Sequence, residues 1–232
     1  MSQTQLTLRL SPQEVYRLDN FLFADAALAE AVNEFCGGRG SDFLYLCGVS
    51  GAGKTHLALA IADEVQQHSR VAYLNFQELR QTAEPAALKS LLDADILCLD
   101  AVEAIAGDKH WQEALFHGFN DIKQQQKRLL IATENPPAQL SIELADLCSR
   151  LATALVFQLP VMADQLKQEA LILQAQSRGL ILSEEVAQYL LRHYGRDMPS
   201  LMAVLQKLDK ASLQAQRRLT IPFVKEVMQH GS

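Results

Sequence analysis

One short glycine-rich segment constrains this chain more than anything else in it. Gly48-Val49-Ser50-Gly51-Ala52-Gly53-Lys54-Thr55 fits the pattern G-x-x-x-x-G-K-[ST]. The apolar run Phe43-Leu44-Tyr45-Leu46-Cys47 stands before it and reads as a buried strand. After it, Leu57, Ala60, Ile61, Ala62 and Val65 recur with helical period over Thr55–Gln67. Strand, glycine loop and helix are the context in which this motif cradles phosphate. Gly48, Gly51 and Gly53, with Ser50 and Ala52 between them, let backbone N–H groups close around phosphate oxygens. The helix start, running through His56, adds partial positive charge. Lys54 is expected to reach the β- and γ-phosphates, and the Thr55 hydroxyl to ligate Mg²⁺. A glycine turn with a chance Lys-Thr is the bland alternative, and the two fitting flanks disfavour it.

The same alternation continues along the chain. Strands are expected at Phe43–Cys47, Val71–Asn75, Ile96–Asp100, Leu129–Thr133 and Ala154–Gln158. Helices are expected at Thr55–Gln67, Pro85–Leu92, His110–Gln126 and Ile142–Leu151. This order predicts an α/β fold with a parallel five-stranded sheet covered by helices on both faces. After Pro160 strand patterns stop. Asp164–Arg178, Ser183–Tyr194, Pro199–Gln216 and Pro222–Gln229 all show helical spacing, with Ser183 as a helix start and Gly195 as a stop. A small all-helical domain over 161–232 therefore follows a nucleotide-binding domain over 13–160, with residues 1–12 as a separate peptide. At 232 residues and 49% hydrophobic content, the chain can form such a core.

A net charge of −6 argues against a free-standing nucleic-acid binder. Lys123, Lys127 and Arg128 form a local basic spot that reads as a solvated helix end. Cys36, Cys47, Cys98 and Cys148 are scattered, with no C-x-x-C pair, and read as thiols rather than metal ligands or disulfides. His68, His110, His117 and His193 are too dispersed for a metal site. No leader or membrane-length run stands out, so a reduced cytoplasmic protein without membrane contact is the expectation.

A phosphate loop requires a second acidic strand end for the cation shell. Ile96-Leu97-Cys98-Leu99-Asp100 supplies it, four apolar residues closed by a carboxylate. Related ATPases often place a further carboxylate directly after the first, to polarise the attacking water. Here that position is Ala101, and Glu103 is the nearest substitute. A site that binds nucleotide and hydrolyses it slowly follows, so whether the chain acts as an enzyme by itself stays open.

Several segments together resemble the AAA+ domain of the bacterial replication initiator DnaA, and within that family its short regulatory branch. Leu18-Asp19-Asn20-Phe21-Leu22-Phe23 is similar to the segment that packs on the adenine, which implies a cofactor contact for Phe21. Gly53-Lys54-Thr55-His56-Leu57 resembles the initiator's loop. Ile105-Ala106-Gly107, then Trp111-Gln112-Glu113 and Phe116 through Asn120, resemble a further family stretch. Glu134-Asn135-Pro136-Pro137 is similar to the sensor 1 loop, with Glu134 where Asp is usual. Leu147-Cys148-Ser149-Arg150-Leu151 resembles the segment whose arginine reaches a neighbouring subunit, which implies a catalytic role for Arg150 in trans. The stretch from Ala215 to Glu226 is similar to the last helix of the short branch, and no helix-turn-helix DNA-binding domain is expected after it. Gln5-Leu6-Thr7-Leu8-Arg9-Leu10 resembles the branch's clamp-docking peptide, which implies roles for Gln5, Leu6, Leu8 and Leu10.

The resemblance implies ADP or ATP with Mg²⁺ as cofactors. It implies DnaA and the polymerase III sliding clamp (its β subunit) as partners, with DNA and the nucleoid reached only through the clamp. It also allows a homo-oligomer. The implied function is regulatory inactivation of DnaA: with the DNA-loaded clamp, the chain stimulates hydrolysis of DnaA-bound ATP. An autonomous AAA+ ATPase, such as an initiator remnant or a helicase loader, is the competing reading. One departure concerns the lid arginine known as sensor 2: aligning Gly195-Arg196-Asp197-Met198-Pro199 places Pro199 at that position, with Arg196 as the nearby substitute.

The residues themselves leave alternatives. The alternating Leu6, Leu8 and Leu10 suit an edge strand as well as a tethered ligand. Arg150 also suits a plain helix-end arginine. His56 suits packing or capping, and Trp111 suits a cover on the core's edge.

Overall fold

The computed structural model describes residues 16–91, 93–195 and 197–229, with the backbone alone at 90 and 91. The chain divides into two compact units, Arg17–Met162 and a second beginning at Ala163.

In the first unit the apolar runs form five strands: β1 (Phe43–Cys47), β2 (Val71–Asn75), β3 (Ile96–Asp100), β4 (Arg128–Thr133) and β5 (Leu155–Gln158). All pairings are parallel, in the order β2-β3-β4-β1-β5. The helices are α1 (Ala26–Cys36), α2 (Lys54–Val65), α3 (Phe76–Thr82), α4 (Leu88–Leu91), α5 (Lys109–Gln124) and α6 (Ala145–Leu151). β1, β3 and β4 lie inside the sheet and are apolar throughout because both of their faces are covered. Leu44, Leu46, Ile96, Cys98, Leu130 and Ala132 pack against residues of α1 and α2. Tyr45, Cys47, Leu97, Leu99, Leu129 and Ile131 face the other way, against residues of α5 and α6. All four cysteines are free thiols, with Cys47 and Cys98 buried.

The strands fall where the apolar runs place them, within one residue at each end. Two helices are additional to the sequence reading. α1 is capped by Asp25, which accepts from Ala27 N–H. α3 starts directly at the end of β2, so no turn residues announce it; Asn75 closes the strand and caps the helix, accepting from the N–H groups of Gln77 and Glu78. Two other spans differ. Pro85–Ala87 is a 3-10 turn before α4, not one helix with it. The helix expected from Ile142 starts at Ala145, and the Glu143 and Leu144 N–H groups before it donate to Gln112 Oε1.

The second unit contains α7 (Asp164–Ser177), α8 (Glu184–His193), α9 (Met198–Ala215) and α10 (Ile221–Gln229). Leu171, Leu190, Leu201, Leu205, Leu208 and Val224 are among the residues of its single apolar cluster. Ser183 caps α8 by accepting from Val186 N–H. Asp197 caps α9, accepting from the N–H and hydroxyl of Ser200. Pro199 stands in the first turn of α9, where its missing N–H has no intrahelical acceptor to lose. Among the described residues no helix is long and apolar enough to cross a membrane.

Candidate nucleotide site

Parallel strands deliver their C-terminal ends to one edge of the sheet, and the sequence motifs converge there. Cys47 pairs with Thr133, and Asp100 with Ala132, so the ends of β1, β4 and β3 stand side by side. The glycine loop leaves β1 and turns into α2. Gly51 and Gly53 have φ of 80° and 95°. At Gly53 a Cβ would also stand 3.1 Å from the Phe21 ring, so the position excludes larger residues twice over. Ala52 N–H donates to Val49 C=O, which closes the turn.

Lys54 is buried and its ammonium donates to the carbonyls of Gly48 (2.7 Å) and Val49 (3.0 Å). The lysine thus braces the loop from inside. α2 starts at Gly53 with no side-chain cap. The first N–H groups of a helix have no partner within it. An uncapped helix start beside a buried ammonium suits an anion with several oxygens. The donor set on the other side suits a hard cation. Thr55 Oγ1 donates to Asp100 Oδ2 at 2.7 Å, which joins the loop to the end of β3. Asp100 is itself buried. The residues therefore fit a phosphate with a divalent cation. Among the described residues no group of three or more His, Cys, Asp or Glu gathers into a protein-only metal site.

The surroundings of Asp100 were not legible in the motifs. Tyr73 of β2 donates its hydroxyl to the same Oδ2 at 2.7 Å, and Ala101 N–H donates to Oδ1 at 2.9 Å. Burial, and then the Asp100 charge, push the Tyr73 phenol far above its ordinary range. Ala101, at the place of the second carboxylate, lies in the left-handed region, φ 55° and ψ 41°, whose cost arises from the Cβ that every residue but glycine carries. Glu103 accepts from Glu134 N–H at 3.2 Å, so the loop after β4 and the segment after β3 are tied together. Burial raises the Glu103 pKa above the usual carboxylate value, against the opposing hydrogen bonds of the Glu103 and Glu134 backbones. The Glu134 side chain is exposed. Below it, Tyr45 bonds to Thr133 and to the Asn135 carbonyl, each at 2.9 Å.

On the other side of the loop, Phe21 meets Phe23 edge-on at 4.8 Å and lies 5.4 Å from the His56 ring. His56 Nε2 is 3.0 Å from Asn20 Oδ1, which also accepts from Arg17 N–H at 3.0 Å. His56 is thus a packing and tethering residue of the first helical turn. A buried Asn before an aromatic pair was the available signal for this contact.

Arg150 lies apart from these groups, in the last turn of α6. It is half-buried, and its guanidinium makes no ion pair or hydrogen bond among the described residues. Gln112 fixes the approach to α6. It is buried on α5, donates to Ile105 C=O and accepts from both Glu143 and Leu144 N–H. A Gln on the apolar face of α5 was the sequence signal for that clamp. Gln5, Leu6, Leu8, Leu10 and Arg196 lie outside the described residues.

Comparison with known proteins agrees with this geometry. The family model of the bacterial DnaA ATPase domain matches residues 13–158, and that of the Hda lid domain matches residues 164–228. An uncharacterised protein of Haemophilus influenzae is 41% identical over 187 residues, 80% of this chain and 81% of its own length. Domain III of DnaA from Thermotoga maritima matches with a TM-score of 0.76 at 23% identity, over 93% of this chain and 96% of that one. At that identity the likeness speaks for fold alone. AMPPCP-bound DnaA from Aquifex aeolicus matches with a TM-score of 0.69 at 25% identity, over 88% of this chain and 67% of that one.

Proposed function

This chain belongs to the DnaA family of AAA+ proteins and carries an Hda-type lid, and from that premise we propose that it is a nucleotide-binding regulator of replication initiation that stimulates hydrolysis of DnaA-bound ATP. Its own site takes ADP or ATP: the loop from Gly48 to Thr55 holds the phosphates and Phe21 stands on the base side. A Mg²⁺ ion held through Thr55 and Asp100 supplies neutralisation of phosphate charge. Ala101 in place of a second carboxylate leaves that site without a general base next to Asp100, which supports a structural nucleotide over rapid turnover.

The observation that carries the activator reading is Arg150. A half-buried guanidinium with no partner among the described residues, on a helix anchored by the Gln112 clamp, is a cation in waiting. Presented to DnaA, it faces the γ-phosphoryl oxygens of the partner's ATP. Negative charge gathers there as a water oxygen bonds to phosphorus and the bond to the ADP oxygen breaks, releasing ADP and phosphate. An arginine supplied in trans accelerates this step by roughly a thousandfold or more. In this reading Gln5, Leu6, Leu8 and Leu10 dock on the sliding clamp, and the protein works in the cytoplasm at the nucleoid.

The test is phosphate release from DnaA–ATP with and without clamp-loaded DNA and this protein. Stimulation is expected only with all components present. Arg150→Ala should remove it and leave nucleotide binding by this chain unchanged. Rapid ATP turnover by this chain alone would replace the proposal with the autonomous-ATPase reading.

A further inference from the structure

Asp100 is more fully engaged than a phosphate site requires. A carboxylate offers about four acceptor positions, two on each oxygen. Oδ2 receives the Thr55 and Tyr73 hydroxyls, both at 2.7 Å. Oδ1 receives Ala101 N–H at 2.9 Å. One position on Oδ1 is left. The carboxylate only accepts, so the tyrosine must donate.

Tyr73 is built into this place. It stands on β2 in register with Cys98 of β3, two positions before Asn75 pairs with Asp100. Its ring packs against the apolar cluster that contains Cys98. The hydroxyl therefore runs along the sheet toward the strand end, where the carboxylate is.

We propose that Tyr73 is a positioning residue for the cation shell of this site: its hydroxyl fixes the Asp100 carboxylate and leaves it one acceptor for a metal-bound water. The inference rests on the reading of the site as one for nucleotide and a divalent cation. Two hydroxyls on one oxygen draw charge from the carboxylate and occupy the positions that further waters of the shell would use. The cation then adds less to nucleotide affinity than an unencumbered aspartate would allow. Its hydroxyl acts on the cation shell through the Asp100 carboxylate to which it donates.

The experiment is calorimetric titration of the full chain with ADP, in Mg²⁺ and in EDTA, for wild type and Tyr73→Phe. Phe keeps the ring and removes the hydroxyl, which donates to Asp100 and accepts from the Asn75 side chain. The ratio of the two affinities should rise about three- to tenfold in the variant, the net effect of one ordinary hydrogen bond, with the EDTA arm unchanged. A structural role would weaken both arms together and leave the ratio alone. Should Tyr73→Phe fail to fold, the wild type still decides: a Mg²⁺ effect above about a hundredfold overturns the inference. A ratio that is unchanged or lower in the variant, with ADP still bound, also overturns it. No ADP binding in either condition overturns the reading of the site as well.

Discussion

The two units bury different chemistry. Asn20, Lys54, Asp100, Gln112 and Thr133 are buried in the first, whereas the second buries Gln174 among the polar side chains described, with the Nε of the half-buried Arg178 beside it. An unpartnered buried polar group destabilises by kcal/mol, and a buried charge by more. In the first unit each is matched: Asn20 with Arg17 N–H and His56, Lys54 with the loop carbonyls, Asp100 with three donors, Gln112 with the approach to α6, Thr133 with Tyr45. Except for Gln112, they gather around the loop and the C-terminal edge of the sheet. The second unit's interior is Leu, Val, Ala and Phe223 in one cluster. The first unit gathers its buried polar groups at one edge of its sheet, and the second is organised around its own packing.

The largest effect that would break this comparison is at Lys54. Lys54→Ala removes the one buried cation of the loop and should weaken ADP binding by about a hundredfold or more in a calorimetric titration. Affinity close to wild type would mean that the buried charge serves the fold alone. Next is Leu205→Ala, at a side chain with no exposure in the middle of α9. It should cost about 2–5 kcal/mol. Hydrogen exchange should register the loss in α7 to α10 and spare the amides of β1, β3 and β4. Equal loss in the strands would show the two interiors to be one cooperative whole.

How far the sequence reveals this contrast depends on the kind of signal. Buried parallel strands are continuous apolar runs, so β1, β2 and β3 were readable to the residue, and the glycine loop with Thr55 and Asp100 was readable because its spacing is covalent. α3 was not, since Asn75 serves strand and helix at once and leaves no gap in the pattern. The partners of Asp100 were not either. Tyr73 is 27 residues away along the chain and meets Asp100 only through the pairing of β2 with β3. Gln112 reaches over 31 residues to Glu143 in the same way. Ala101 was legible as a missing carboxylate, but its left-handed backbone belongs to the fold.

The smallest effect sharpens the comparison through pH, at one half-buried carboxylate of the first unit and one exposed carboxylate of the second that are shifted in opposite directions. The first unit's exposed Asp95, held down to about 2 by Arg70, shifts as the second does. In the first, burial raises Glu103 above its ordinary value. A raised carboxylate contributes stability that is complete below its unfolded pKa, about 4.3 for Glu, and is lost as pH rises through the folded value. In the second, Asp197 is lowered by the Ser200 N–H and hydroxyl at the start of α9. Its contribution is complete above the unfolded value and is lost as pH falls through the folded one. Acidification should therefore relieve the first unit at Glu103 while it loosens the cap of α9. Glu103→Gln keeps an acceptor for Glu134 N–H and removes the charge. Relative to wild type, it should gain on the order of 0.5 kcal/mol near neutral pH, and the gain should vanish in acid. Asp197→Asn should show the reverse pattern: a deficit near neutral pH that closes in acid, confined to amides of α9. Hydrogen exchange at two pH values on both variants reads the two signs. If both shift in the same direction with pH, the half-buried Glu103 and the exposed cap at Asp197 do not respond to protons as separate environments.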